Sequence, residues 1–351
     1  MNKKIGFTCA YTPVPLIEAA GFSAYRVFPE TKAPDQAGHL LHDNLCPHVK
    51  KVLDRALADD LPKLEGMVFI NSCDTMRRLA DAWKEARPDD KIILIDLPSG
   101  TDRLSLDFLS KEYERLSTTL FKWNNKTPSP EIISGKIKEK ISLWNLVAAS
   151  VKKIEEKMSQ DFFPGYASGL QQIINTAATE STDHALAMAQ NKLESEQPGK
   201  AGLSPVFVFG NLLFDPKVYD LFEDWNMHVT GTDFCTSSRF ITPVDTGLDD
   251  NIFRCLAISY LKQTPCARTM DTAIPGSIAQ RIVERAKASN AKGVIGFTLK
   301  FCDPYLARIP MIRAALQKES IPFLMLEGDC TTGSMGQQQT RIEAFTEMLE
   351  V

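Results

Sequence analysis

Short apolar runs alternate with amphipathic stretches through the first hundred residues of this 351-residue chain. The apolar, β-rich runs fall at Lys4–Cys9, Ala24–Phe28, Gly66–Asn71 and Lys91–Leu97. Between them, Pro13–Ala20, Cys46–Ala58 and Asp74–Glu85 carry apolar residues at the three-to-four spacing of a helix with one buried face. Strands that alternate with helices predict a parallel sheet with helices on both faces. The last part repeats the plan, with strands expected at Val206–Gly210, His228–Thr232, Gly293–Thr298 and Phe323–Glu327. Its helices are expected at Pro216–Trp225, Ile274–Ala288 and Asp303–Lys318.

The two α/β parts can be laid over one another. "VFINSCDTMRRLADAWKEARPDDKIILIDLP" and "IGFTLKFCDPYLARIPMIRAALQKESIPFLMLEGD" share the order strand, Cys-Asp, helix, proline-containing turn, strand. Few residues are identical, so what repeats is a plan, as expected of an internal duplication. Between the copies the strand signal disappears, and the stretches from Leu104 to Pro198 read as helices with apolar stripes. "ESEQPGKAGLSP" (Glu194–Pro205), polar and rich in Pro and Gly, reads as a linker. The expected division is an N-terminal α/β domain over 1–103, a helical insert and linker over 104–202, and a C-terminal α/β domain over 203–351. The insert could cover a site, form a partner interface, or simply complete the core.

Composition narrows the function classes. Apolar residues make up 44% and charged residues 24%, which suits a globular protein, and a net charge of −4 gives no footing for nucleic acid. No apolar run approaches the roughly 18 residues of a membrane span. MNKK is followed by strand-like IGFTCAY and prolines rather than an export signal, so a cytoplasmic protein is expected.

That placement changes how the eight cysteines read: Cys9, Cys46, Cys73, Cys235, Cys255, Cys266, Cys302 and Cys330. A disulfide framework is not expected, and no CxxC supports a zinc ribbon or a thioredoxin-type motif. Cys73 and Cys302 each stand where an apolar strand ends and a helix opens, a place that favours the thiolate. Cys46 precedes Pro47 at another helix start. Its counterpart in the second part is Cys266, Cys235 closes a strand, and Cys330 follows one. Six cysteines thus fall at the carboxyl edges of two similar sheets, where a doubly wound fold binds its ligands. Cys255 sits inside a helical run and reads as core; Cys9, flanked by Ala and Thr, is a weak candidate. Thiolates drawn from separate loops suit an iron–sulfur cluster better than a local zinc site.

Other chemistries have less support. There is no GxxxxGK[ST] and no GxSxG, and His184 has no evident nucleophile partner. His39, His42 and His48 bracket Cys46 and could be ligands or ordinary loop residues. Arg77, Arg78 and Arg239 follow cysteines closely and could meet cluster charge or an anionic substrate, or be surface arginines.

At these residues the chain resembles the D-component superfamily of 2-hydroxyacyl-CoA dehydratases, which includes benzoyl-CoA reductase subunits and double-cubane cluster proteins. The resemblance is carried by "YTPVPLIEAAGF", "CPHVKKVLDRAL", "INSCDTMRRLAD", "LKFCDPYLARIPMIRAAL", "IPFLMLEGD" and "GQQQTRIEAFTEML". It implies two flavodoxin-like (Rossmann-like) parallel-sheet domains with a cluster between them, in the setting of anaerobic metabolism. For a dehydratase-type subunit it implies a [4Fe–4S] cluster on Cys46, Cys73 and Cys302. One iron stays open to polarise an acyl-CoA oxygen while a low-potential electron generates a ketyl radical. The electron comes from a separate ATP-dependent activator, in keeping with the absent P-loop. The double-cubane branch instead implies an [8Fe–9S] cluster, with Cys235, Cys266 and Cys330 added to the ligand set, a homodimer or a paralogous subunit, and reduction of small molecules. A non-catalytic electron-transfer or assembly protein on the same scaffold is the reading from another class. There are two departures: Val14 and Pro15 stand where family members often carry an acidic residue, and the chain is short for the superfamily.

Overall fold

The computed structural model describes residues 3–29, 35–195, 199, 202–263, 266–269, 276–330 and 338–350. Its first sheet comprises β1 (Lys4–Phe7), β2 (Ser23–Arg26), β3 (Leu64–Asn71) and β4 (Ile92–Asp96). The second comprises β5 (Ser204–Gly210), β6 (Met227–Asp233), β7 (Gly293–Leu299) and β8 (Phe323–Gly328). Each is all-parallel, in the orders β2-β1-β3-β4 and β6-β5-β7-β8. The expected repeat of plan is therefore present strand for strand, and the architecture is α/β, consistent with two flavodoxin-like sheets. In both, the chain leaves a central strand for an edge strand, then crosses back, so the order reverses between β1 and β3 and between β5 and β7. All seven residues of β7 are buried, as expected of a central parallel strand covered on both faces.

Helices α1 (Val14–Ala19), α2 (Pro47–Leu57) and α3 (Asp74–Ala86) accompany the first sheet. Four helices follow: α4 (Arg103–Trp123), α5 (Pro130–Gln160), α6 (Tyr166–Thr179) and α7 (Thr182–Glu194). The second half carries α8 (Pro216–Asp224), α9 (Ile252–Lys262), α10 (Ser277–Ala288), α11 (Asp303–Leu306), α12 (Ile309–Lys318) and α13 (Gln339–Glu350).

The helix expected over Asp303–Lys318 is broken into α11 and α12. Pro310 lacks the N–H that would bond back to Leu306, and its ring would strike that carbonyl, so α11 stops at Leu306. The helix expected from Ile274 begins at Ser277, and Ile274 and Pro275 lie outside the described residues. The expected linker is shorter than its composition suggested. Helix α7 reaches Glu194, β5 starts at Ser204 and includes Pro205, and part of the stretch between lies outside the described residues.

The insert packs as core. Trp144, Val147 and Val151 of α5 and Leu170, Ile173 and Ile174 of α6 are buried in one apolar cluster with residues of both sheets. Its polar groups grip the loop after β6. Trp144 Nε1 donates to the Thr242 carbonyl at 2.8 Å, Gln171 Nε2 donates to the Thr236 carbonyl at 2.7 Å, and the Asn145 amide pairs both ways with Val244. Tyr113 of α4 donates to the Tyr11 carbonyl at 2.9 Å in the loop after β1. The insert thus fixes loops of both halves.

Candidate metal centre

The carboxyl ends of the two sheets face a shared cavity of about 520 Å³. Six thiols line it: Cys9, Cys46 and Cys73 from the first half, and Cys235, Cys266 and Cys302 from the second. No residue of the insert lines it among the described residues. Arg268 ties the halves together, donating to the carbonyls of Leu97 at 2.7 Å, Pro98 at 2.9 Å and Asn71 at 3.3 Å. Such a volume is that of a cofactor or small-ligand site.

Local sequence explains how the thiols come to face inward. Cys46, Cys73 and Cys302 are the N-caps of α2, α3 and α11, and none of them makes a side-chain cap hydrogen bond. Helices α4, α7, α8 and α9, by contrast, are capped by Asp102, Ser181, Asp215 and Asn251, whose side chains accept from the first turn. Forgoing a polar cap costs about 0.5–2 kcal/mol each. Phe301, with φ 58°, holds the left-handed turn that aims Cys302, a conformation costing a bulky residue on the order of 1–3 kcal/mol.

At Cys302, burial corrects the expectation that the helix start favours the thiolate. The thiol of Cys46 is pushed up to about 12 and that of Cys302 to about 11, because desolvation outweighs the backbone hydrogen bonds that favour the thiolate. Cys9 is likewise pushed up to about 12 by burial, and Cys266 is raised for the same reason although the Arg239 charge opposes it. Several thiols held neutral by desolvation round one cavity are not a stable place for several anions. A multivalent cation that displaces their protons is the natural counterpart.

Cations cluster at one end. Arg239 is buried, paired with Asp233 at 2.5 Å, and donates to the Tyr305 hydroxyl at 2.5 Å. Arg26, buried at the end of β2, donates to the Cys235 carbonyl at 2.6 Å and lies 3.5 Å from its Sγ. Sequence reasoning missed Arg26. The signal was an arginine on the core-facing side of a strand otherwise reading as apolar. Cys9, a weak candidate by its flanking residues, lines the cavity beside Ser72. Cys330 does not line the cavity, yet it is near enough to Cys46 that its thiol pKa, raised chiefly by burial, also feels a charge there.

Of the histidines, only His48 reaches the cavity. Its Nδ1 is buried without a hydrogen-bond partner, and burial first, then the Arg26 charge, lowers its pKa to about 3, leaving a neutral imidazole. His39 and His42 are exposed and outside it, as are Arg77 and Arg78, the latter paired with Asp74 at 3.6 Å. His184 is also on the surface, bonded to Glu180 at 2.6 Å. Cys255 is core, donating to the Asp249 carbonyl at 3.1 Å.

Among the described residues no three His, Cys, Asp or Glu side chains converge on one point as they would around a single metal ion. A cubane instead takes each thiolate at a different iron, so its ligands surround a cage. Six soft donors spread round one apolar cavity, with one unpartnered imidazole, fit a cluster of that kind.

A family model, 2-hydroxyglutaryl-CoA dehydratase, D-component, matches residues 9–349, nearly the whole chain and both sheet edges that carry the thiols. The chain belongs to this D-component family. The (R)-2-hydroxyglutaryl-CoA dehydratase subunit beta of Acidaminococcus fermentans is 25% identical, over 99% of this chain and 93% of its own. The (R)-phenyllactyl-CoA dehydratase beta subunit of Clostridium sporogenes is 23% identical over 99% and 92%. A benzoyl-CoA reductase subunit from Thauera aromatica is 17% identical over 100% and 92%. The D-component chain is therefore close in length to these relatives, and the expected shortness amounts to a small difference. No helix among the described residues is long and apolar enough to cross a membrane.

Proposed function

We propose that this chain is an iron–sulfur reductase of the D-component family, receiving low-potential electrons from a separate ATP-dependent activator. Its centre, in this reading, is a double cubane acting on a small molecule. The observation that carries the proposal is the number of thiols round one cavity: six, where a single open cubane takes three. Cys46, Cys73 and Cys302 hold one cubane. Cys235 and Cys266 belong to the other, with Cys330 or Cys9 as the sixth ligand.

When bound, the cluster supplies strongly reducing electrons and an iron able to polarise an oxygen of the substrate. The chain supplies the rest. Tyr11 and Tyr305, whose hydroxyl pKa values are driven up by burial, stay protonated and offer hydrogen bonds into the cavity. Arg239, braced by Asp233, sets a fixed positive charge at its wall. The lining is mostly apolar, and the Arg268 clasp holds the two halves together around it. The partner is a second copy of the chain or a paralogous subunit.

A second reading, a [4Fe–4S] subunit of a 2-hydroxyacyl-CoA dehydratase or benzoyl-CoA reductase acting on an acyl-CoA, is favoured by the names of the relatives. Iron and acid-labile sulfide on anaerobically purified protein separate the two. About eight iron per chain with slightly more sulfide supports the double cubane, about four supports the single cubane, and none after reconstitution removes both. Cys235→Ser sharpens the count: it lowers iron in the first reading and leaves it whole in the second.

A further inference from the structure

Arginine keeps its proton everywhere in a protein, so a buried arginine is a permanent buried charge. Arg26 is only 1% exposed. Other buried arginines have acidic partners, Asp233 for Arg239 and Asp60 for Arg55 at 3.2 Å. Among the described residues Arg26 pairs with no carboxylate. Its Nη1 donates to the Cys235 carbonyl at 2.6 Å, its Nη2 to Cys235 Sγ at 3.5 Å, and its Nε has no partner. Its guanidinium lies 5.7 Å from the Phe28 ring and 5.2 Å from the Phe240 ring, contacts that hold its plane but do not neutralise it. An unpaired buried ion costs several kcal/mol, and the group within reach that can become an anion is the Cys235 sulfur.

We propose that Arg26 is a positioning residue for the metal centre: a counter-charge and sulfur hydrogen-bond donor reaching from the first half to Cys235 of the second. It makes the Cys235 end of the centre the easier end to reduce. An added electron raises the negative charge of a cluster, and net charge and hydrogen bonds to its sulfurs set its potential. A cation fixed against one ligand therefore favours the reduced form at that end. Among the described residues, Cys235 is the cavity thiol that Arg26 hydrogen-bonds. The inference rests on Cys235 being a ligand, as the reading above has it.

The test is an anaerobic redox titration of iron-loaded protein, followed by electron paramagnetic resonance, for wild type, Arg26→Met and Arg26→Lys. Arg26→Met keeps the bulk between Phe28 and Phe240 and removes the charge. The expected result is a more negative midpoint, by at least a tenfold shift in the reduced-to-oxidised ratio, about 59 mV for one electron. Arg26→Lys, which keeps the charge without the fork, shifts less. An unchanged midpoint in Arg26→Met with full iron overturns the proposal. If Arg26→Met takes up no iron, the melting of the iron-free proteins decides. A midpoint equal to wild type assigns the loss to the centre and supports the proposal, and a lower one makes Arg26 a fold residue and overturns it. Failure of the underlying reading looks different: Cys235→Ser would keep its full iron whatever Arg26 does.

Discussion

The two halves repeat one strand order, yet they furnish the cavity differently. The first half presents Cys46 and Cys73 from the uncapped starts of α2 and α3, in two successive crossovers, and the carboxylate–arginine pair beside Cys73, Asp74 with Arg78, is exposed rather than buried. The second half repeats that device once, at Cys302. It draws Cys235 and Cys266 from the long stretch between β6 and β7, where Arg239 and Asp233 are buried together. Arg26 adds a further cation to that side although it belongs to the first sheet. Identical topology therefore fixes where ligands can stand, and loop content decides what electrical surroundings each meets. Desolvated thiols stand on both sides of the cavity, and the Cys235 side is backed by buried positive charge as well.

The largest effect expected from breaking this arrangement is on metal content. Cys73→Ser or Cys302→Ser removes iron together with activity, and full iron in either variant would mean the ligand assignment at the uncapped helix starts is wrong. Next comes the cation-backed end. Asp233→Asn leaves Arg239 buried without its counter-ion and is expected to cost about 3–5 kcal/mol in a urea titration of the iron-free protein. A loss below about 1 kcal/mol, the worth of a surface pair, would show that water reaches this ion pair and that the end is not the buried site described.

The smallest effect concerns His228, the second residue of β6, whose ring meets Phe162 edge-on at 5.1 Å. Burial lowers its pKa from the usual 6.5 to about 4. The unfolded chain then binds the proton more readily, so this contribution to stability is complete above about pH 6.5 and is lost as pH falls toward 4. Urea midpoints of wild type and His228→Gln measured across that window should converge as pH falls. Parallel curves would mean the imidazole is in contact with water.

Much of this arrangement is legible in the sequence because it lies in local patterns. Apolar runs ending in Cys-Asp mark both sheets, and the mismatch between a strand ending and a cysteine points to the cavity edge. What is not legible is set by contacts across the chain. Arg26 looks like any charged strand residue until Cys235, distant in sequence, is beside it. The raised pKa values of the Cys9, Cys46, Cys266 and Cys302 thiols follow from burial in the folded chain, which no helix-start argument contains. Cys9 loses its apparent weakness as a candidate once β1 proves to end at Phe7 and the loop beyond it turns into the cavity. The α11–α12 break was readable in Pro310, but a continuous apolar stripe masked it.

The cavity also dictates when it can exist. Its wall is assembled from Thr8 through Tyr305, and the contacts that close it, such as Arg268 to Leu97 and Arg26 to Cys235, join residues made far apart in time on the ribosome. A nascent chain that ends before β6 has only Cys9, Cys46 and Cys73, half the ring of thiols, and one that ends before β7 still lacks Cys302 and the wall around it. The proposed centre would therefore be loaded only into a nearly complete polypeptide, and any fragment ending before β7 should remain colourless.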